Sequence, residues 1–268
     1  MRFFPGLSRS WTAKPQAKGV RVNERVRTYF ELLRFPAVFT AIADVMMGYL
    51  VMHGDLRPAP VFLLLAITSG CLYLAGMVLN DVYDVVIDAR ERPERPIPSG
   101  RLNVAAASRL GWFLMGVGYM AAWSVYFVYD RIGPAAVAGM LAVLIYVYDR
   151  IANKSAIGPV VMGFCRALNV LLGMSTFAVG VGQPLVTVLT PAQLSILVGM
   201  WMYIAAVTWL AKSEVGSPAI RAMIRYLIRG IIVVDAAIVL AFCGPWWAVS
   251  VLTLLVPMLL LERWASTT

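Results

Sequence analysis

The sequence predicts an all-α membrane protein, a polytopic bundle of about eight hydrophobic helices. Three observations carry that prediction. Of 268 residues, 60% are hydrophobic and only 14% charged, against about 45–50% and about 25% in soluble domains. Windows of about 20 residues with almost no charge recur along the whole chain, as helices that cross a bilayer require. The cationic residues fall on one side of those windows. No run shows the roughly ten-residue alternation of a transmembrane barrel.

Taken in order, residues 1–34 form a basic tail. They hold no apolar core and no acid before Glu24, so they do not read as a secretory signal. Their Arg, Lys, Ser and Thr content fits a juxtamembrane tail and also a transit peptide. The predicted spans are 36–52, 59–79, 104–127, 132–148, 156–177, 190–211, 226–242 and 245–262. The fourth, seventh and eighth are near the lower length limit for a crossing.

Several spans carry residues that need explaining. Asp44 lies in the first, Arg166 and Asn169 in the fifth, and Asp235 in the seventh. Charge at such depth is costly and faces a cavity or a partner. Arg166 and Asn169 share a helix face, and Asp44–Arg166 is one pairing open to them. Gly111, Gly116 and Gly118 in the third span suit close helix contacts. Trp246 and Trp247 open the eighth span and read as an interfacial belt.

Orientation follows from the 23 Lys and Arg residues. With the N-terminus inside, the tail holds eight, the segment 80–109 five, 149–155 two, 212–229 four and the C-terminal end one. Only Arg57 and Arg131 fall opposite, and Arg166 lies within a span. A twenty-to-two split places both termini and the charged loops on the cytoplasmic side, which in a bacterium is that of the inner membrane. It also explains the net charge of +9 without invoking nucleic acid. Cys71, Cys165 and Cys243 show no ligand spacing, and the lone His53 has no metal-binding neighbours. Residues 35–268 read as one membrane domain.

The segment "NDVYDVVIDARERPERPIPSGR", residues 80–101, concentrates three aspartates, two glutamates and four arginines between apolar runs. Asp81, Asp84 and Asp88 fall at i, i+3 and i+7, so a helical continuation of the second span sets them on one face. Asn80, Asp84 and Asp88 also share a face. Carboxylates held that close repel unless cations sit among them, and hard oxygen ligands suit Mg²⁺ shared with phosphate oxygens. Arg90, Arg92, Arg95 and Arg101 supply guanidinium groups that clamp a diphosphate. The chemistry implied is departure of diphosphate from an organic ester.

That segment resembles the first aspartate-rich motif of the UbiA superfamily of intramembrane prenyltransferases, N-D-x-x-D-x-x-x-D followed by an arginine-rich run into R-P-[IL]-P-S-G. Asn80, Asp81, Asp84, Asp88, Arg95, Pro96, Pro98, Ser99 and Gly100 match. "LLRFPAVFTAIADVMMGYL" is similar to the family's first span, and "YDRIANKSAIG" to its segment after the fourth. The resemblance implies a helical bundle around a central apolar cavity, two Mg²⁺ ions, a polyprenyl diphosphate donor and an aromatic or other lipophilic acceptor. It implies that Asp81, Asp84 and Asp88, assisted by Asn80, hold metal. Arg92, Arg95, Arg101 and Lys154 would bind diphosphate, with Tyr148 on the cavity wall.

Two features depart from the family pattern. Family members carry a second acidic motif after the sixth span, whereas "TWLAKSEVGSP" here holds one acid, Glu214, beside Lys212. Glu214 would bridge one metal and Lys212 would meet the diphosphate. The family usually has nine spans against eight here. Both departures resemble divergent UbiA-like proteins, including the EboC-like branch. They keep open an alternative, a non-catalytic lipid-binding or transport-associated module. A phosphoryl transfer to a lipid alcohol is disfavoured, because the D-G-x-x-A-R run of that class is absent.

Overall fold

A computed structural model describes residues 22–176, 189–213 and 218–267, and every regular element among them is helical. In chain order these are α1 (Val22–Leu33), α2 (Val38–His53), α3 (Ala59–Tyr83), α4 (Val85–Glu91), α5 (Val104–Tyr129), α6 (Gly133–Arg150), α7 (Gly158–Met174), α8 (Pro191–Ser213), α9 (Pro218–Cys243), α10 (Pro245–Leu252) and α11 (Leu255–Thr267). Phe35–Ala37 forms a 3-10 turn that continues into α2. Among the described residues, six helical stretches are long and apolar enough to cross a membrane, and Gly158–Met174 is apolar but shorter. The protein is an integral membrane helical bundle.

Local signals set the boundaries. Proline stands in the first turn of α3, α6, α7 and α10, where its missing N–H costs no hydrogen bond. Asn103 caps α5 by accepting from the Ala105 N–H at 2.7 Å. Three boundaries differ from expectation. Residues 22–33, read as tail, form α1, which packs against α3 and α11. The seventh span begins at Pro218 rather than 226. The eighth is interrupted around residues 253–254, so it consists of α10 and α11.

Helix α2 lies at the centre, against α3, α7 and α9. Its close approach to α7 depends on glycine. A Cβ on Gly48 would collide with the Val170 carbonyl, and one on Gly173 with the Val45 carbonyl. Gly111 and Gly118 likewise let α5 approach Leu79 and Thr68 of α3, whereas Gly116 faces open space. Apolar side chains such as Phe113, Phe127, Val143, Met202 and Trp246 are exposed, as a surface solvated by lipid tails requires. Arg229 of α9 pairs with Glu262 of α11 at 2.5 Å, closing the C-terminal end of the bundle.

Candidate active site at the mouth of the bundle

The charged segment caps one end of the bundle. Helix α3 stops at Tyr83, because Asp84 takes φ −91° and ψ 4°. Helix α4 then restarts, with the Asp88 N–H donating to the Asp84 carbonyl at 2.8 Å. The three aspartates therefore do not lie along one continuous face, as their spacing predicts. The break divides them into two groups.

Asp81 and Asp88 converge on Arg95, whose Nη1 is 3.2 Å from Asp81 Oδ1 and 2.5 Å from Asp88 Oδ2. Arg34 reaches the same Asp81 oxygen at 3.0 Å. Asp84 turns the other way. Its Oδ2 accepts from Asn153 Nδ2 at 2.8 Å, its Oδ1 lies 3.2 Å from Lys154 Nζ, and Asn153 also donates to Asn80 Oδ1 at 3.0 Å. The loop behind Arg95 is anchored by Ile97, which is buried with Leu32, Val78 and Ala107. Gly100, at φ +76°, completes the turn in a conformation that a side chain would strain.

The remaining expected residues take different places. Tyr148 lies on the cavity wall, its hydroxyl 3.5 Å from Asn153 Oδ1, a distance too long for a strong hydrogen bond. Lys212 does not point at the aspartates. Its ammonium donates to the carbonyls of Asn153 (2.5 Å) and Ser155 (3.0 Å), so it braces the turn that carries Asn153 and Lys154. Arg101 also turns away, bidentate to Glu31 of α1 at 2.7 and 3.0 Å. Arg92 is exposed at the end of α4. Glu214 lies outside the described residues.

Three contributors escaped the sequence reading. Arg34 sits two residues before Pro36, at the start of the 3-10 turn that leads into α2. Asn153 is the neighbour of Lys154. Asp149 lies in the last turn of α6, beyond the 132–148 span, and is 2% exposed. Its Oδ2 has no hydrogen-bond partner. Burial, reinforced by the Asp84 and Asp81 carboxylates, pushes its carboxyl up to about 8. No spacing rule singles out an acid beside two bulky aromatics, so only the fold reveals it.

Behind this mouth lies a small cavity of about 80 Å³. Ser69, Leu72 and Gly76 of α3 and Met162, Cys165 and Asn169 of α7 face it, each set at the three-and-four spacing of one helix side. The lining is mainly apolar, and its two rings are Tyr73 and Tyr148. Charge thus stands in front of an apolar chamber.

The residues at the mouth would hold a divalent cation only with further ligands. Among the described residues, no three acid, histidine or cysteine side chains gather closely enough to hold one alone. Yet the donors are hard oxygens: Asp149 Oδ2 is buried without a hydrogen-bond partner, and Asp84 Oδ1 meets the Lys154 ammonium at 3.2 Å. Three acids (Asp81, Asp84, Asp88) already pair with three bases (Arg34, Arg95, Lys154), and burial keeps Asp149 mostly protonated near neutral pH. An anionic diphosphate would add uncompensated negative charge, so positive charge would have to arrive with it.

Residues 41–267 match the UbiA prenyltransferase family. A digeranylgeranylglyceryl phosphate synthase of Sulfurisphaera tokodaii is 31% identical over 160 residues, 58% of this chain and 54% of the relative. The chain thus matches about half the length of such curated relatives. A solved digeranylgeranylglyceryl phosphate synthase superposes with a TM-score of 0.58 at 22% identity, covering 90% of this chain and 88% of that one. A UbiA homologue from Archaeoglobus fulgidus, bound to DMAPP and Mg²⁺, gives 0.54 at 13% identity, with coverage of 87% and 85%. At these identities the two superpositions establish the fold.

Proposed function

The chain belongs to the UbiA prenyltransferase family, and from that premise we propose that it is a membrane-embedded prenyltransferase moving a prenyl group from a polyprenyl diphosphate to a lipophilic acceptor. The observation that carries the reading is the juxtaposition of an arginine-, lysine- and aspartate-lined mouth with an apolar cavity on the same face of α3. A prenyl diphosphate has that polarity, a polyanionic head on a hydrocarbon tail. The DMAPP- and GPP-bound homologues and the synthase relatives support the same substrate class. The positive-inside distribution supports a mouth and termini on the cytoplasmic side.

Each residue has a task in this reading. Arg34, Arg95 and Lys154, which neutralise the aspartates in the structure, draw the diphosphate to the mouth. Asn80, Asp81, Asp84 and Asp88 are the oxygen donors for Mg²⁺. When bound, Mg²⁺ would neutralise the charge that develops on the departing diphosphate. The C–O bond breaks with its electron pair on the diphosphate, and the acceptor attacks the prenyl carbon. Asp149 lies on the cavity wall with its carboxyl raised to about 8, close to the working pH, and in its ionised form it is placed to take the proton that the acceptor loses. Tyr73 and Tyr148 offer π faces to an allylic cation. Lys212 holds the Asn153–Lys154 turn against Asp84.

The test is product formation. Purified protein with Mg²⁺, labelled prenyl diphosphates of several lengths and a membrane lipid extract yields a prenylated lipid. The non-catalytic alternative predicts that the donor binds and no labelled lipid forms.

A further inference from the structure

The cavity has a second polar end that the chemistry at the mouth does not use. Ser69 lies twelve positions before Asp81 on α3, about 18 Å away at the helical rise. There Asp44 of α2, Arg166 and Asn169 of α7, and Asp235 of α9 meet inside the bundle. Arg166 Nε is 2.6 Å from Asp44 Oδ2. Asn169 donates to the same oxygen at 3.0 Å and to the Ala41 carbonyl at 2.9 Å, and Ser69 donates to Asn169 Oδ1 at 2.7 Å. Asp44 and Asp235 are fully buried.

A plain structural clamp would satisfy its own donors. This one does not. Arg166 is 9% exposed and lines the cavity together with Ser69, Tyr73 and Asn169. Its Nη2 is buried without a hydrogen-bond partner, which leaves the desolvation cost of a charged donor uncompensated. A ligand oxygen in the cavity would recover that cost. Charge then selects the oxygen. Two aspartates face one guanidinium, so the cluster has no surplus of positive charge and repels a carboxylate or phosphate.

We propose that this inner end is a recognition site for an uncharged oxygen, a hydroxyl or carbonyl, borne by the lipophilic acceptor. The inference rests on the prenyltransferase reading. A polyprenyl diphosphate has a pure hydrocarbon tail, so a polar floor serves no part of the donor. The acceptor would lie with its apolar body between Leu72 and Met162 and its oxygen toward Arg166.

The experiment measures binding without donor or Mg²⁺, in lipid nanodiscs corrected for partition into empty discs. The probes are 4-dodecylphenol, dodecylbenzene and 4-dodecylbenzoate. Wild type binds the phenol at least about tenfold more tightly than the hydrocarbon, as one hydrogen bond to a charged donor provides, and also more tightly than the benzoate. Arg166→Lys keeps the charge opposite Asp44 but loses Nη2, and the phenol preference falls to about one. The charge-balanced double variant Asp44→Asn/Arg166→Gln gives the same loss and guards against misfolding of the first. Equal binding of phenol and hydrocarbon by wild type would overturn the proposal. So would tight benzoate binding, or a preference that survives both variants. Because no transfer is measured, an inactive protein with the phenol preference would sink only the prenyltransferase reading. An active one without the preference would sink only this inference.

Discussion

Asn153 donates its side-chain amide to Asp84 at 2.8 Å across 69 residues of sequence. This bond joins the turn after α6 to the break at the end of α3, and it brings Lys154 to the same carboxylate. The mouth is therefore closed by two loops. The second supplies an amide and an ammonium to Asp84.

Asp84 is the hinge of this arrangement, and Asp84→Asn tests it. The amide keeps the size of the side chain but loses its charge and an oxygen ligand. Prenyl transfer is expected to fall about 10²–10³-fold, as when one aimed electrostatic contact is removed, with thermal stability little changed. A kinetic assay with parallel melting curves checks both.

Lys212 acts through the turn that it braces. Lys212→Met is expected to lower both the melting temperature and kcat/KM, the latter about tenfold by displacement of Asn153 and Lys154. A lysine that instead touched the diphosphate would raise the donor KM and leave the melting temperature unchanged. Steady-state kinetics and thermal melts on one preparation separate the two.

Asp149 makes stability depend on pH. Burial pushes its carboxyl up to about 8 in the folded protein, from an ordinary carboxylate value near 3.8. Between those values the folded state holds a proton that the unfolded chain has released, so this residue's contribution weakens as pH rises. The metal-free wild type is expected to lose melting temperature from about pH 5 to 8 relative to Asp149→Asn. The two curves should converge near pH 4. Parallel curves at all pH values would contradict the assignment.

Close packing of α2 on α7 predicts an ordered series. Gly48→Ala drives a methyl into the Val170 backbone carbonyl, which cannot move aside. It is expected to destabilise by about 1–3 kcal/mol. Gly111→Ala meets side chains alone, those of Leu79 and Val78, and Gly116→Ala meets nothing, so their effects should decline in that order. Thermal melts in one detergent rank them.

Much of the fold was legible in composition because a bilayer leaves few options. Long apolar windows must be helices, and cationic loops must sort to one side. What was missed depends on local breaks and distant pairings. Helix α1 carries too little apolar surface to announce itself and forms where Leu32 packs on Ile97. The spacing of Asp81, Asp84 and Asp88 correctly marked the charged mouth but assumed a continuous helix, which Asp84 ends. Arg101 looked like a diphosphate ligand by its neighbours, yet Glu31 of α1 holds it. Asp149 is set against Asp84 only by the way α6 docks on α3.

The most direct measurement follows both products of one reaction. A donor labelled with ³²P in the diphosphate and ¹⁴C in the prenyl chain is incubated with purified protein, Mg²⁺ and lipid extract. Transfer predicts equal amounts of free diphosphate and ¹⁴C-labelled lipid, both abolished by chelation of Mg²⁺ and by Asp84→Asn. Diphosphate released without labelled lipid, or labelled lipid formed equally by the Asp84→Asn protein, would contradict it.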